Sequence, residues 1–343
     1  MTSKTFERIP LLLAVAPLLV AAVLAPAYAG PAPSGPGPAW ATLAPVPSVG
    51  GPGVGGVEGM SVASVGDEII AALGFDSFPG DTSTTRIYDI ASNTWSLGAA
   101  APGTSSEGAG VAHGGLFYTV GGRVAGPGSA PRADIWSYSP VSDTWNAALT
   151  PMPTARAGLA IAVVGDSIYA IGGRTATAGP CTGDGALATV ERYDIASDTW
   201  TPVASLLAPR SDLAAAAVGG KIYVFGGCDN AGTFLADVDV YNPVTDTWST
   251  APANMPTARA GMYAVATKGG TVYVIGGWDG VGPGLSTNEA YKVSQDTWTP
   301  GLLPMPTHRA EVGAVGHGGR IYIVGGSQPA FGASVDANEV FKP

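Results

Sequence analysis

Residues 321–326 read Ile321-Tyr322-Ile323-Val324-Gly325-Gly326, and the phrase returns four times upstream. The copies are Val272-Tyr-Val-Ile before Gly276-Gly277, Ile222-Tyr-Val-Phe before Gly226-Gly227, Ile168-Tyr-Ala-Ile before Gly172-Gly173, and Leu116-Phe-Tyr-Thr-Val before Gly121-Gly122. A degenerate copy, Ile69-Ile-Ala-Ala-Leu-Gly74, opens the series. From Gly74 onward the last glycines are spaced by 48, 51, 54, 50 and 49 residues. An aliphatic and aromatic run stopped by glycines is a strand ending where the backbone needs positive φ. A second landmark keeps the same beat: Tyr88…Trp95, Tyr138…Trp145, Tyr193…Trp200, Tyr241…Trp248 and Tyr291…Trp298 are each seven apart. Turn-forming strings such as Asp-Ile-Ala-Ser-Asn-Thr lie between them. A fixed period with two phased landmarks is the mark of a repeat architecture.

The order Arg, strand, Ile-Tyr-Val-Ile-Gly-Gly, Tyr-Asp, Trp resembles the kelch repeat, whose period is about 50 residues. The resemblance covers nearly all of residues 40–343. It implies one propeller blade of four antiparallel strands per unit, hence an all-β, six-bladed propeller. The residues suit that role. First strands such as Leu159-Ala-Ile-Ala-Val-Val are small enough for a crowded axis, and the Tyr and Trp of the third and fourth strands are large enough to fill the space between blades. Gly122, Gly173, Gly227, Gly277 and Gly326 would end the second strands.

The sixth unit stops at Pro343 without a fourth strand, whereas Trp40-Ala-Thr-Leu-Ala-Pro stands unclaimed upstream of the first unit. It matches Trp200-Thr-Pro-Val-Ala-Ser. Trp40 and its strand are therefore expected to complete the last blade, leaving few exposed edges.

Charged residues make up 12 % of the 343, and the formal charge is −10 with no basic cluster, which speaks against nucleic-acid binding. Lys4 and Arg8, the apolar run Ile9–Ala25 and Ala27-Tyr28-Ala29 resemble a secretory signal cleaved after Ala29. Residues 30–39 read as a flexible Pro/Gly-rich lead. The expectation is a secreted, extracellular or periplasmic product with no membrane span. Cys181 and Cys228, on the loops after the Gly-Gly pairs of blades three and four, are candidates for a disulfide.

Loops between strands two and three, and between blades, share one face, which makes it the expected binding face. Arg156, Arg210, Arg259 and Arg309 recur just before the first strands of blades three to six, each 17 or 18 residues before the second glycine of its unit. Two readings stand open. In one, they form an arc at the channel mouth, with Glu58 and Glu107 opposite, and hold a carboxylate of an acidic sugar or peptide. In the other, they pair structurally with Glu191, Asp239, Glu289 and Glu339, which occur in the same four blades. Trp278, beside Asp279, is the candidate for stacking on a sugar ring.

No nucleophile triad, phosphate loop or metal-ligand spacing occurs among the motifs, so neither metal nor cofactor is expected. The copper chemistry of galactose oxidase, which also has a kelch-like propeller, lacks its residue set here. The expected function is a binding module for a carbohydrate or an extracellular protein. A sugar mutarotase is the alternative, since periplasmic sialic-acid mutarotases look like this chain in blade number and length; Glu58 or Glu107 would then be the acid–base group. A structural role in the cell envelope is a third reading.

Overall fold

The computed structural model describes residues 35, 37–48, 56–76, 80–124, 130–175, 181–182, 185–250, 253–328 and 333–343. The segment 1–29, read as a leader, and most of the 30–39 lead lie outside the described residues.

Each sequence unit becomes one four-stranded antiparallel sheet, and there are six of them among the described residues. Blade three is typical: Ala160–Val164, Ser167–Ile171, Val190–Asp194 and Thr199–Pro202, in that order across the sheet. The fourth strands begin one residue earlier than the sequence reading placed them, at the threonine before each tryptophan. The first strands touch in a closed circuit, blade one to blade six and back to one. A 3-10 turn at Val293–Gln295 is the only helix among the described residues.

Ring closure is as expected. Ala39–Thr42 pairs antiparallel with Asn338–Lys342, setting Trp40 opposite Phe341. The sixth blade thus takes its outer strand from the N-terminal part of the chain, and both ends are held in one sheet.

The core lies between blades. Tyr223 and Phe225 of blade four pack with Val272, Val274 and Tyr291 of blade five, with Trp298 against them. Burying each such large side chain contributes about 1.5–3 kcal/mol. The seven-residue Tyr…Trp spacing places the two rings opposite each other across strands three and four, about 5 Å apart, as at Tyr193 and Trp200. The tryptophans also reach sideways. Trp200 Nε1 donates to Thr150 O, Trp248 Nε1 to Ala204 O and Trp298 Nε1 to Ala253 O, each time on the chain that leaves the preceding blade. The residue two before each Trp completes a belt. Asp198 accepts from Tyr193 Oη at 2.6 Å and from Thr150 N at 2.8 Å; Asp246 does the same with Tyr241 and Ala204.

The first glycine of each Gly-Gly pair has φ between 49° and 67°. In degenerate blade one Leu73 takes that place at φ 66°, a conformation that is uncommon outside glycine. It is buried, and its N–H is held by Thr84 O, so the surrounding blade imposes it.

Candidate functional site

The four recurring arginines do not reach a channel mouth. Arg156, Arg259 and Arg309 are fully buried and Arg210 is 3 % exposed. Each pairs with the acid on the third strand of its own blade: Arg156 with Glu191 and Arg259 with Glu289 at 2.6 Å, Arg210 with Asp239 at 2.5 Å, Arg309 with Glu339 at 3.0 Å. They also bind carbonyls inside the blade, as Arg259 does at Gly276 O and Val274 O. Burial pulls the Arg259 guanidinium down from its ordinary pKa against the pull of Glu289. The arginine arc is therefore corrected: these side chains tie the segment that enters each blade to its third strand. Blade one inverts the device. Its third-strand Arg86 faces buried Asp76 at 3.5 Å. Blade two replaces it with Arg132 stacked over Trp136, 5.0 Å from the ring centre.

What encircles the mouth is the residue two positions before each first strand. In chain order these are Gly59, Glu107, Gly158, Asp212, Gly261 and Glu311, and all six have φ between 51° and 63°. Each N–H donates to the carbonyl of its counterpart one blade back, with Glu107 N to Gly59 O at 2.9 Å and Asp212 N to Gly158 O at 2.8 Å. Gly59 N closes the ring on Glu311 O at 3.2 Å. Six backbone hydrogen bonds thus run once around the axis.

Glycine and acid alternate in this ring, and at Gly158 the reason is steric. A Cβ on Gly158 would lie 2.5 Å from the Asp212 carboxylate and 2.3 Å from Arg174 Nη1. A Cβ on Gly261 would make only an ordinary contact with the Glu311 side chain, at 3.7 Å. Asp212 thus leans back over the preceding blade and needs a glycine at 158. An acid held in the left-handed region without glycine's freedom is conformational strain at a site, the usual place for it.

Charge at the mouth is concentrated. Arg174 bridges Glu107 and, at 2.5 Å, Asp212; Arg123 pairs with Glu107 at 2.6 Å. Burial works against the Arg174 charge, yet Asp212 and Glu107 outweigh it and raise its pKa. Glu311 is pushed well above the ordinary carboxylate range by burial and by Glu58, Glu107 and Asp212. Glu58 is raised by burial and by Glu107, against a hydrogen bond from Ser327. Four carboxylates thus face two guanidinium groups.

Two spaces that share Glu107, Gly261 and Glu311 in their walls lie here. A channel cavity of about 100 Å³ runs below the ring between Leu159, Leu213, Met262 and Val312. Above it, a vestibule of about 340 Å³ is bounded by Glu58, Glu107, Glu311, Arg123, Trp278 and Cys181. Of the residues singled out from sequence, Glu58, Glu107 and Trp278 come together here, and Cys181 at its wall is joined to Cys228 in a disulfide, Cα atoms 5.5 Å apart. Trp278 is half-buried and packs edge-on against Phe234, so it anchors its loop and lines the vestibule at once. Asp279 instead caps its own turn, accepting from Val281 N at 3.0 Å. Asp212, Glu311, Arg174 and Arg123 were missed. The signal for three of the ring positions was present, as a Gly/acid alternation at one repeat position. His113 and His317 end the first strands of blades two and six, beside Asp166 and Asp67 of the neighbouring blades.

Six four-stranded sheets around an axis, latched by the N-terminal strand, define a six-bladed β-propeller with its open site at the loop-rich mouth. Residues 109–326 match the family described as the KLHDC2/KLHL20/DRC7 Kelch-repeats domain, and the chain belongs to that family. It is similar to Kelch-like protein 36 of Mus musculus, 31 % identical over 207 residues, covering 58 % of this chain and 32 % of the relative. Kelch-like protein terF of Aspergillus terreus is 29 % identical over 211 residues, 59 % of this chain and 46 % of the relative. The F-box/kelch-repeat protein SKIP30 of Arabidopsis thaliana is 34 % identical over 127 residues, 35 % of this chain and 36 % of the relative. The match thus spans less than half the length of each of these relatives.

This comparison corrects the expected secreted location. The relatives matched include Kelch-like proteins of animals and of a fungus, none of them named as secreted, and the N-terminal segment that carried the expectation lies outside the described residues. No helix of the described residues is long and apolar enough to cross a membrane.

Proposed function

We propose that this chain is a protein-interaction module whose loop-rich face takes a basic side chain of a partner protein into the vestibule. The observation that carries the reading is the carboxylate set at the mouth, Glu58, Glu107, Asp212 and Glu311, beside the half-buried ring of Trp278. A guanidinium group fits such a set through bidentate hydrogen bonds, and an aromatic face adds cation–π attraction. Family membership supports the reading, since kelch-repeat homologues are protein-binding modules. The net charge of −10 favours a basic partner by steering its approach.

The acidic-ligand reading has lost its cationic grip, because Arg156, Arg210, Arg259 and Arg309 are inside the blades. A sialic-acid mutarotase would need that grip for its substrate carboxylate. A neutral carbohydrate stacked on Trp278 is the remaining competitor.

The test is fluorescence anisotropy with a labelled arginine-rich peptide, an acidic peptide of equal length and a panel of neutral and acidic sugars. The basic peptide should bind, weaken with added salt, and lose about tenfold or more in affinity on Glu311→Gln, as loss of one partner of a desolvated charge pair does. Binding by a neutral glycan, abolished in Trp278→Ala, would replace this reading with the carbohydrate one. Tight binding of the basic peptide that ignores both salt and Glu311→Gln would place the interaction elsewhere on the surface.

A further inference from the structure

At the vestibule wall the Cys181–Cys228 bridge lies against Asp212. One donor atom from each of the three residues falls within 4.8 Å of the others. Cys228 Sγ is 3.8 Å from Asp212 Oδ2. In a tetrahedral zinc site with bonds of about 2.0–2.3 Å, ligand atoms stand roughly 3.5 Å apart. The sulfur–carboxylate separation is already close to that value. Only the two sulfurs must part, and Cys181, half-buried on its loop, is the one placed to move.

We propose that on reduction of this disulfide Cys181, Cys228 and Asp212 form a binding site for a borderline-soft divalent cation of the zinc class. The inference stands independently of the partner reading above. Two of the three ligands sit on backbone that is fixed on both sides. Cys228 is fully buried and exchanges two backbone hydrogen bonds with Ser211, at 2.9 and 3.0 Å. Asp212 belongs to the hydrogen-bonded ring around the axis. Its carboxylate is oriented from outside the would-be coordination sphere, by Arg174 on Oδ1 at 2.5 Å and by Ser211 Oγ on Oδ2 at 2.7 Å. Outer hydrogen bonds of this kind hold a ligand in register for a metal. Two thiolates and one carboxylate suit zinc; magnesium and calcium prefer all-oxygen sets. Three protein ligands leave a fourth position for water on the vestibule side, where Cys181 lines the wall.

The chemistry balances with a reductant of the phosphine or dithiol class. A phosphine breaks the S–S bond by taking one sulfur; water then supplies the oxygen of the phosphine oxide and the two protons that leave both cysteines as thiols. A dithiol instead is oxidised to its own disulfide. Metal binding then releases the two thiol protons to solvent.

The test uses the full chain, oxidised or reduced with a phosphine that is removed under argon, and cobalt(II) as the spectroscopic probe. The reduced protein should take up one equivalent of cobalt(II), with a thiolate-to-metal charge-transfer band and the strong visible bands of tetrahedral cobalt. Zinc(II) should displace it, and the oxidised protein should show neither band. Cys181→Ser, a loop change checked by its circular dichroism, should remove the charge-transfer band or cut its intensity by about half. Asp212→Asn should keep sulfur coordination but bind more than about tenfold more weakly, since loss of even an outer partner costs a metal site that much. A reduced protein without the bands, or bands of equal strength in the oxidised protein or in Cys181→Ser, would overturn the proposal.

Discussion

Asp198 and Glu311 are both carboxylates on residues held in the left-handed region, at φ 52° and 51°, yet their surroundings act in opposite senses. Asp198 is on the outer belt and collects hydrogen bonds from the Tyr193 hydroxyl and from the backbone and side chain of Thr150. Those donors hold its pKa below the ordinary carboxylate value. Glu311 is at the mouth, where burial and three neighbouring acids raise its pKa. The belt spends its charge on joining blades. The mouth keeps its charge under-compensated, which is the condition of a group awaiting a ligand.

The comparison can be broken by removing carboxylates of each kind in turn. The largest effect belongs to those that serve the fold from inside a blade. Glu289→Ala would leave Arg259 buried without its partner and should cost about 3–5 kcal/mol, measured by urea unfolding. Wild-type stability in that variant would mean that the backbone carbonyls at Gly276 and Val274 alone satisfy the guanidinium. Next comes the response to acid. Asp143, Asp198, Asp246 and Asp296 are depressed by hydrogen bonds from the belt. A depressed folded pKa contributes stability that is present above the unfolded value of about 3.9. That stability is lost as pH falls through the folded value. Melting temperature should therefore drop steeply in the acid range, less steeply when Asp198 and Asp246 are both changed to Asn.

Glu311 should behave with the other sign. Its raised folded pKa favours the protonated acid, so its contribution is present below the unfolded value of about 4.3 and fades as pH rises through the folded one. Glu311→Gln removes that penalty, and at neutral pH the variant should melt slightly higher, by on the order of 1 °C, while losing the basic peptide. A variant that both destabilises the fold and leaves peptide binding intact would put Glu311 in the same class as Asp198. The smallest effect is on affinity. A cationic ligand binds the ionised carboxylates, so wild-type affinity should rise modestly with pH across the titration of Glu311, and this slope should flatten in Glu311→Gln.

Much of this molecule was legible as a string. The Gly-Gly period gave the number of blades because each repeat carries its own strand stop, and an unclaimed Trp40 strand found a blade with one strand missing. The joint appearance of Arg and acid in blades three to six left the structural reading open beside the ligand one. Sequence could not choose between them, because a guanidinium beside a first strand can turn inward or outward. Only the folded blade, with strand two between strands one and three, brings the segment that carries Arg156 next to Glu191 and shuts both away from water. The mouth was half legible. The sequence singles out Glu58 and Glu107 as acids facing the arginines and Trp278 as a stacking candidate, but not Asp212 or Glu311. What joins them is a ring of six left-handed residues that are about 50 positions apart in the chain and become neighbours only when the blades close. Local patterns and spacing are set by each repeat alone and so are carried by the sequence. The charge balance of the mouth is a sum over six blades, and it exists only once tertiary structure has brought them to one axis.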